Sequence, residues 1–344
     1  MIELPSPQRA SKWCAEQRAR GVTLGYVPTM GALHAGHLSL VERAVRENAA
    51  ACASIFVNPL QFNDRADLRD YPRDWQRDTA LLNRAGCAMV FTGTPAEFFP
   101  DADGAGGDGG DGGGGGDIDG SVDPGPDSGV GPGALDSAAT IDPGPGALDS
   151  GADASAAIDP APGALDSAAA IDPGPGARGL EGEFRPGHLQ GVCRIVARLF
   201  ATVGPCRAYF GEKDFQQTLV VAHLARRFSG IEVRVCPTVR DASGLALSSR
   251  NRRLNAAGRD AAAQIYQALL AAKAAWQSGA RAPAALESVM RARLQHPQIA
   301  LDYATVRDPA NWSEHPPPAP PPQARALIAA TIGKVRLIDN LKLD

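Results

Sequence analysis

The sequence predicts an α/β chain: a parallel sheet covered on both faces by helices, followed by a smaller α+β domain. Three observations carry this. Short, near-continuously apolar runs alternate with longer amphipathic ones over the first part of the chain, the pattern of strands buried on both faces. The polar motifs stand where an apolar run hands over to a helical one, at the carboxyl ends of strands, where open α/β sheets bind ligands. Beyond Thr238 the texture changes to alanine-rich helices and a final pair of strands.

In order, Thr23–Val27 (TLGYV) reads as a strand and Leu38–Asn48 as an amphipathic helix. Ala51–Val57 is a second strand, Asp74–Ala85 a helix and Ala88–Phe91 a third strand. Val192–Val203 has helical period, with Ile195, Val196, Leu199 and Phe200 on one side. Ala208–Phe210 is a short strand, Phe215–Phe228 a helix and Ile231–Cys236 a strand. In the second domain, Asn255–Ser278 and Ala285–Leu294 are helices, and Tyr303–Val306 is a strand. After the loop HPPPAPPPQ, Ala326–Ile332 and Lys334–Ile338 are two more strands around Gly333.

The stretch Asp101–Ala177 belongs to neither core. It carries 15 aspartates, no other charged residue, and imperfect repeats: GALDS at Gly133, Gly146 and Gly163, and I-D-P at Ile141, Ile158 and Ile171. Few large apolar residues and one sign of charge offer little burial to offset ordering entropy, so a disordered insertion is expected. The insertion also hides the charge of the rest. The chain has 38 acidic and 34 basic residues; without those 15 aspartates the remainder is basic by 11 charges, which suits an anionic, nucleotide-like substrate. No basic run interleaved with aromatics points to nucleic acid. The six cysteines form no C-x-x-C pair and no metal-ligand spacing. No apolar run reaches the roughly 20 residues needed to span a bilayer, and MIELPSPQRASKW lacks a basic start and an apolar core, so neither membrane nor signal peptide is expected.

The segment VPTMGALHAGHLSL places two histidines, His34 and His37, around Gly36 at a strand-to-helix junction. A helix start offers unpaired N–H groups and a positive dipole end, so the site favours phosphate. The imidazoles can donate to phosphate oxygens, and Gly36 permits close approach. A solvated pair or an i, i+3 metal pair is the alternative, though a zinc site would want a third ligand nearby. Further on, LSSRN (Leu247–Asn251) follows Gly244. Ser248, Ser249 and Arg250 could clamp a triphosphate; a polar hinge is the bland reading. In GEKDFQQ (Gly211–Gln217), Lys213 could neutralise phosphate or merely pair with a carboxylate. In SIFVNPLQF (Ser54–Phe62), Asn58 and Gln61 could bind hydroxyl and carboxylate groups or cap the loop.

Together PTMGALHAGHLSLV, SIFVNPLQF, DLRDYPRD, LEGEFRPGH, YFGEKDFQQ, SGLALSSRN and VRLIDN resemble the pantoate–β-alanine ligase family, within the class I synthetase-like nucleotidyltransferases. The resemblance implies a Rossmann-like ATP- and pantoate-binding domain at residues 1–237, containing the 101–177 insertion, and a C-terminal α+β lid domain at 238–344. It implies an ATP-dependent condensation of (R)-pantoate with β-alanine through a pantoyl-adenylate, with Mg2+ accompanying the ATP. It further implies a homodimer; the composition and the lack of a signal peptide or spanning run lead to the expectation of a cytoplasmic chain with no nucleic-acid or membrane partner.

Carried over by position, ATP would be held by Met30, Gly31, Ala32, Leu33, His34, Ala35, Gly36 and His37. Gly211, Glu212, Lys213, Asp214 and Val239 would contact it too, with Leu247, Ser248, Ser249 and Arg250 closing over the triphosphate. Gln61 and Gln217 would bind pantoate, with Asn58, Tyr71 and Arg185 lining the same cleft. His34, His37, Lys213, Ser248, Ser249 and Arg250 would serve the chemistry; the family treats His37 as a proton donor, whereas electrostatic stabilisation suits its place better. Leu60 and Leu247 stand where methionine is common, a near volume-conserving exchange. The last repeat, IDPGPGARGLEG, resembles the family's own segment before LEG, which makes the insertion a tandem duplication with one terminal copy in the native place; VDPGP from Val122 is the other candidate. A different nucleotidyltransferase of the superfamily, or a non-catalytic nucleotide-binding protein, is the rival reading.

Overall fold

In the computed structural model, which describes residues 1–100 and 171–344, the chain builds two sheets. Six strands form the first: β1 (Ile2–Leu4), β2 (Leu24–Thr29), β3 (Ala50–Ile55), β4 (Met89–Phe91), β5 (Cys206–Gly211) and β6 (Ile231–Cys236). All their pairings are parallel, in the order β1-β4-β3-β2-β5-β6. The second sheet is antiparallel: β7 (Ile299–Arg307), β8 (Arg325–Ile332) and β9 (Val335–Lys342). Helices α1 (Pro7–Ala19), α2 (Ala35–Glu47), α3 (Arg65–Arg69), α4 (Trp75–Arg84), α5 (Pro95–Phe98), α6 (Glu181–Phe184), α7 (His188–Val203) and α8 (Phe215–Ala225) belong to the first half. Helices α9 (Ala256–Gln277) and α10 (Pro283–Arg293) cover the second sheet.

The apolar runs are continuous because alternate residues serve opposite faces. Tyr26, Cys52, Met89, Phe91, Ala208 and Phe210 enter one core with α7. Their neighbours Val27, Ala51, Ala53, Val90 and Tyr209 enter another with α2 and α4. A third core gathers Ile265, Leu269, Leu286, Met290 and Ile328 beneath the second sheet. A small cluster of Leu180, Phe215, Tyr303, Leu327 and Ala329 joins the halves.

Sheet order fixes where a ligand can lie. From β2 the chain winds outward through β3 and β4, then returns to lay β5 and β6 on the other side of β2. Strands β2 and β5 pair only at Gly25–Arg207 and Tyr26–Ala208, so their carboxyl ends part. The crevice at this reversal is the expected ligand site of an open α/β sheet.

Several boundaries differ from the sequence expectation. The first strand and helix, β1 and α1, are absent from it: β1 is three residues long, and α1 buries only Pro7, Ala10 and Cys14. Helix α2 begins at Ala35 rather than Leu38, because His34 is its N-cap. Strand β7 is longer than predicted, with an irregularity between Leu301 and Tyr303 breaking its alternation.

Residues 171–177, assigned to the insertion, instead pack into the first half. Ile171 is buried in the core, Gln190 Nε2 donates to its carbonyl at 2.9 Å, and Pro175–Ala177 form a 3-10 turn. A Cβ on Gly176 would lie 2.8 Å from Leu219 on α8, so the turn seats tightly. The last repeat copy therefore occupies a place in the fold. The expected disorder of residues 101–170, and the copy at Val122, lie outside the described residues.

Candidate active site

The loop after β2 is wound into a strained turn. Gly31 (φ 77°) and Ala32 (φ 51°) are both left-handed, which for alanine costs about 1–2 kcal/mol. A buried carboxylate offsets this: Asp78 on α4 accepts from the N–H of Ala32 at 2.7 Å and of Leu33 at 2.9 Å. A side chain at position 31 would collide with it, the Cβ falling 2.9 Å from Asp78 Oδ2. Asp78, a residue to which the sequence reading gave no role, therefore braces the loop in this shape.

Two histidines then start α2 by capping it reciprocally. His34 Nδ1 accepts from Gly36 N–H at 3.2 Å, and His37 Nδ1 accepts from His34 N–H at 3.4 Å. Backbone N–H groups only donate, so each neutral ring carries its proton on Nε2. The rings lie 4.1 Å apart. Burial, with the charge of Lys213 adding to it, pushes His34 down to about 4; burial and the neighbouring His34 push His37 to about 3. Both are neutral near pH 7, each with one Nε2–H as its remaining donor. Gly36 is needed for the cap, since a Cβ there would meet the His34 ring at 2.9 Å.

Beyond β3, the short 3-10 turn Pro59–Gln61 carries Gln61. Its amide donates to the Met30 sulfur at 2.7 Å, tying it to the loop after β2. Its carbonyl receives His188 Nδ1–H at 2.8 Å and Arg185 at 3.2 Å. Arg185 also donates to His188 Nε2 at 2.9 Å, so burial and this guanidinium hold His188 neutral, near 4. Asn58, expected at the substrate, is engaged within the loop. It is buried, caps the turn through Leu60 N–H, and donates to Gln61 Oε1 and Gly191 O. Its amide thus ties Gln61 to α7.

Across the crevice, β5 leads into the turn Glu212–Asp214. Gly211 faces open space: a Cβ there would meet nothing within 4 Å. Lys213 pairs with Asp214 at 3.1 Å; burial works to raise that carboxyl, but the ammonium outweighs it and holds it below the usual range. Glu212, expected at ATP, turns to the second sheet, where Arg325 binds it at 2.7 Å. Asn340 on β9 donates to the carbonyls of both Glu212 and Lys213 at 2.9 Å. The two glutamines of GEKDFQQ divide their labour. Gln216 is buried, accepting from Glu181 N–H and donating to the carbonyls of Gly176, Arg178 and Gly179. Gln217 makes no side-chain hydrogen bond among the described residues.

The serine-rich loop returns to the same place. Leu247 N–H donates to Val239 O at 2.9 Å, closing a narrow loop, and a Cβ on Gly36 would lie 3.9 Å from Leu247. Ser248 caps the 3-10 turn Ser249–Arg253 by accepting from Arg250 N–H. Burial raises the Tyr71 phenol, and Ser249 hydrogen-bonds it. Motifs about 210 residues apart in sequence thus meet at the end of one crevice. Sequence reasoning passed over Asp67, Asp78, Glu181 and His188; DLRDYPRD, LEGEFRPGH and the neighbouring α4 contained them, but their partners are distant in sequence. Glu181 is buried and accepts from Tyr303 and Arg336 of the second sheet at 2.8 Å.

A family model described as pantoate-beta-alanine ligase matches residues 4–342. The pantothenate synthetase of Herpetosiphon aurantiacus is 36% identical over 328 residues, covering 94% of this chain and 95% of its own. The crystal structure of pantothenate synthetase from Thermus thermophilus is 35% identical and superimposes with a TM-score of 0.71, covering 100% of this chain and 99% of its own. A pantoate-beta-alanine ligase from Francisella tularensis, complexed with beta-gamma ATP and beta-alanine, is 26% identical with a TM-score of 0.63, over 100% and 98% of the two chains. With the likeness running through both sheets and the motifs gathered on one crevice, the chain belongs to the pantoate–β-alanine ligase family and is an enzyme, a ligase.

Proposed function

We propose that this ligase joins pantoate to β-alanine in two steps within the crevice between β2 and β5, driven by ATP. The pantoate carboxylate attacks the α-phosphorus, the bond to pyrophosphate breaks, and pantoyl-adenylate forms. The β-alanine amine then attacks the acyl carbon and loses a proton, forming the amide of pantothenate as AMP leaves. The ATP and β-alanine of the Francisella tularensis complex support this substrate set.

The observation that carries the mechanism is the reciprocal cap of His34 and His37, which fixes both tautomers. Two neutral Nε2–H donors beside a helix start can stabilise charge building on phosphate oxygens without a proton leaving either ring. On this reading Met30–His37 cradle the nucleotide, Gly211–Asp214 and Val239 hold adenosine, and Lys213 and Leu247–Arg250 engage the phosphates. Gln61 and the unpaired Gln217 hold pantoate, with Gln61 also bordering the β-alanine position and Tyr71 and Arg185 closing the wall. On the family resemblance, Mg2+ would accompany the ATP and neutralise part of the triphosphate's charge.

Six free, buried cysteines favour a reducing, cytoplasmic setting, and no helix of the described residues is long and apolar enough to cross a membrane. The homodimer rests on the family resemblance; light-scattering mass would decide it. Pyrophosphate release tests the reaction. Release with ATP and pantoate alone, followed by AMP and pantothenate once β-alanine is added, is the expected result. Release that needs β-alanine from the outset would overturn the order of steps.

A further inference from the structure

Arg250, read above as a triphosphate ligand, does not stand free in the crevice. Its Nη2 donates to Asp67 Oδ2 at 2.9 Å, and Arg253 Nη1 donates to the other oxygen, Oδ1, at 2.6 Å. Asp67 belongs to α3 in the first half, whereas both arginines belong to the 3-10 turn that opens the second. The seam between them is tight: the cavity there, bordered by Tyr71, Pro72, Ser249, the three paired groups and a second carboxylate, Asp70, holds only about 10 Å³. Burial works to raise the Asp67 carboxyl, but the two guanidiniums outweigh it and keep it ionised.

The turn needs such a counter-charge. Arg250, Arg252 and Arg253 lie within four residues and repel one another. One carboxylate with each oxygen committed to a different arginine fixes both their separation and their direction. Arg250 spends one terminal nitrogen on Asp67, leaving its other N–H groups to a phosphate. Arg253 offsets the negative charge that Asp67 would otherwise present to the incoming nucleotide.

We propose that Asp67 is a positioning residue, a clasp that holds the serine–arginine loop against α3 and presents Arg250 to the ATP phosphates before the nucleotide arrives. The proposal rests on the reading of this loop as the triphosphate clamp, and two independent measurements separate them.

The first is steady-state pyrophosphate release by Asp67→Asn and Asp67→Glu in the full-length enzyme. Asp67→Asn raises KM for ATP by about tenfold, the scale of one charge-assisted hydrogen bond, with kcat within about twofold. Asp67→Glu recovers part of the loss. Asp67→Asn and Arg253→Gln combine less than additively, because they act through one carboxylate. An unchanged KM, or a fall in kcat accompanied by a lowered melting temperature, overturns the positioning role.

The second measurement needs no activity. Trypsin can cut after Arg250, Arg252 and Arg253, and residues 101–177 contain no lysine or arginine to compete. Asp67→Asn speeds nicking at these bonds severalfold at unchanged melting temperature. Equal nicking in variant and parent overturns the clasp. Faster nicking without a change in KM keeps the clasp but overturns its role in presenting Arg250, and that result would count against the loop as the triphosphate clamp.

Discussion

The Asp78 carboxylate, carried on α4, closes onto the N–H of Ala32 at 2.7 Å across 46 residues of sequence. It also takes the N–H of Leu33, and so holds a left-handed alanine at the mouth of the crevice. Asp78→Asn would set an amide NH2 against one of these donors. We expect a loss of about 1–3 kcal/mol in urea unfolding and a raised KM for ATP. Unchanged unfolding with normal kinetics would mean the loop holds its turn by other contacts.

Gly36→Ala brings a methyl within 2.9 Å of the His34 ring. The ring is the end of a side chain and can swing aside, so the fold should survive with about 1 kcal/mol lost from the helix cap. Pantoyl-adenylate formation should fall by about 10²-fold, the scale of a displaced catalytic group. A near-normal rate would show that the reciprocal cap is not needed for chemistry.

His37→Ala removes a neutral donor outright. We expect adenylation, measured as single-turnover pyrophosphate release, to slow by about 10²–10³-fold. A variant that adenylates at the normal rate but fails in amide formation would move His37 to the second step.

Three histidines, His34, His37 and His188, have their folded values pushed down to about 4, 3 and 4, chiefly by burial. Unfolded histidines take up protons near pH 6.5, so acidification below that favours the unfolded chain, and stability falls as the pH drops towards the folded values. The melting temperature should be flat from about pH 7 to 8 and decline between about pH 6 and 4.5. His188→Asn should decline less steeply; parallel curves would place the sensitivity elsewhere.

Deleting residues 103–169 leaves the packed copy Ile171–Ala177 in place. We expect the shortened enzyme to keep its melting temperature and its rate of pantothenate formation. A loss of either would give the removed residues a part in the fold or the reaction.

The sheet and its ligand edge were legible because burial on both faces writes an apolar run directly into strands such as TLGYV. The place of the histidines was legible because a strand-to-helix junction selects a polar cap beside glycine, and His34 is that cap. Asp78, Glu181 and Asp67 were not. A buried or half-buried carboxylate looks like any surface acid until its partners, 46, 155 and 183 residues away, are brought to it. Helix α1 escaped notice for a related reason: it touches the core through few residues. Asn58 and Gln61 are chemically alike in sequence, and only burial separates the amide that positions from the one that is positioned.

Asn340 grips the backbone of Glu212 and Lys213 from more than a hundred residues downstream, and Arg325 grips the Glu212 side chain beside it. The carboxyl-terminal third is therefore a buttress as well as a cover. A polypeptide ended after β6 would retain every strand of the first sheet yet leave the turn Glu212–Asp214 without these supports. Exchanging the second half between relatives would demand that the partners of Asn340 and Arg325 be exchanged with it.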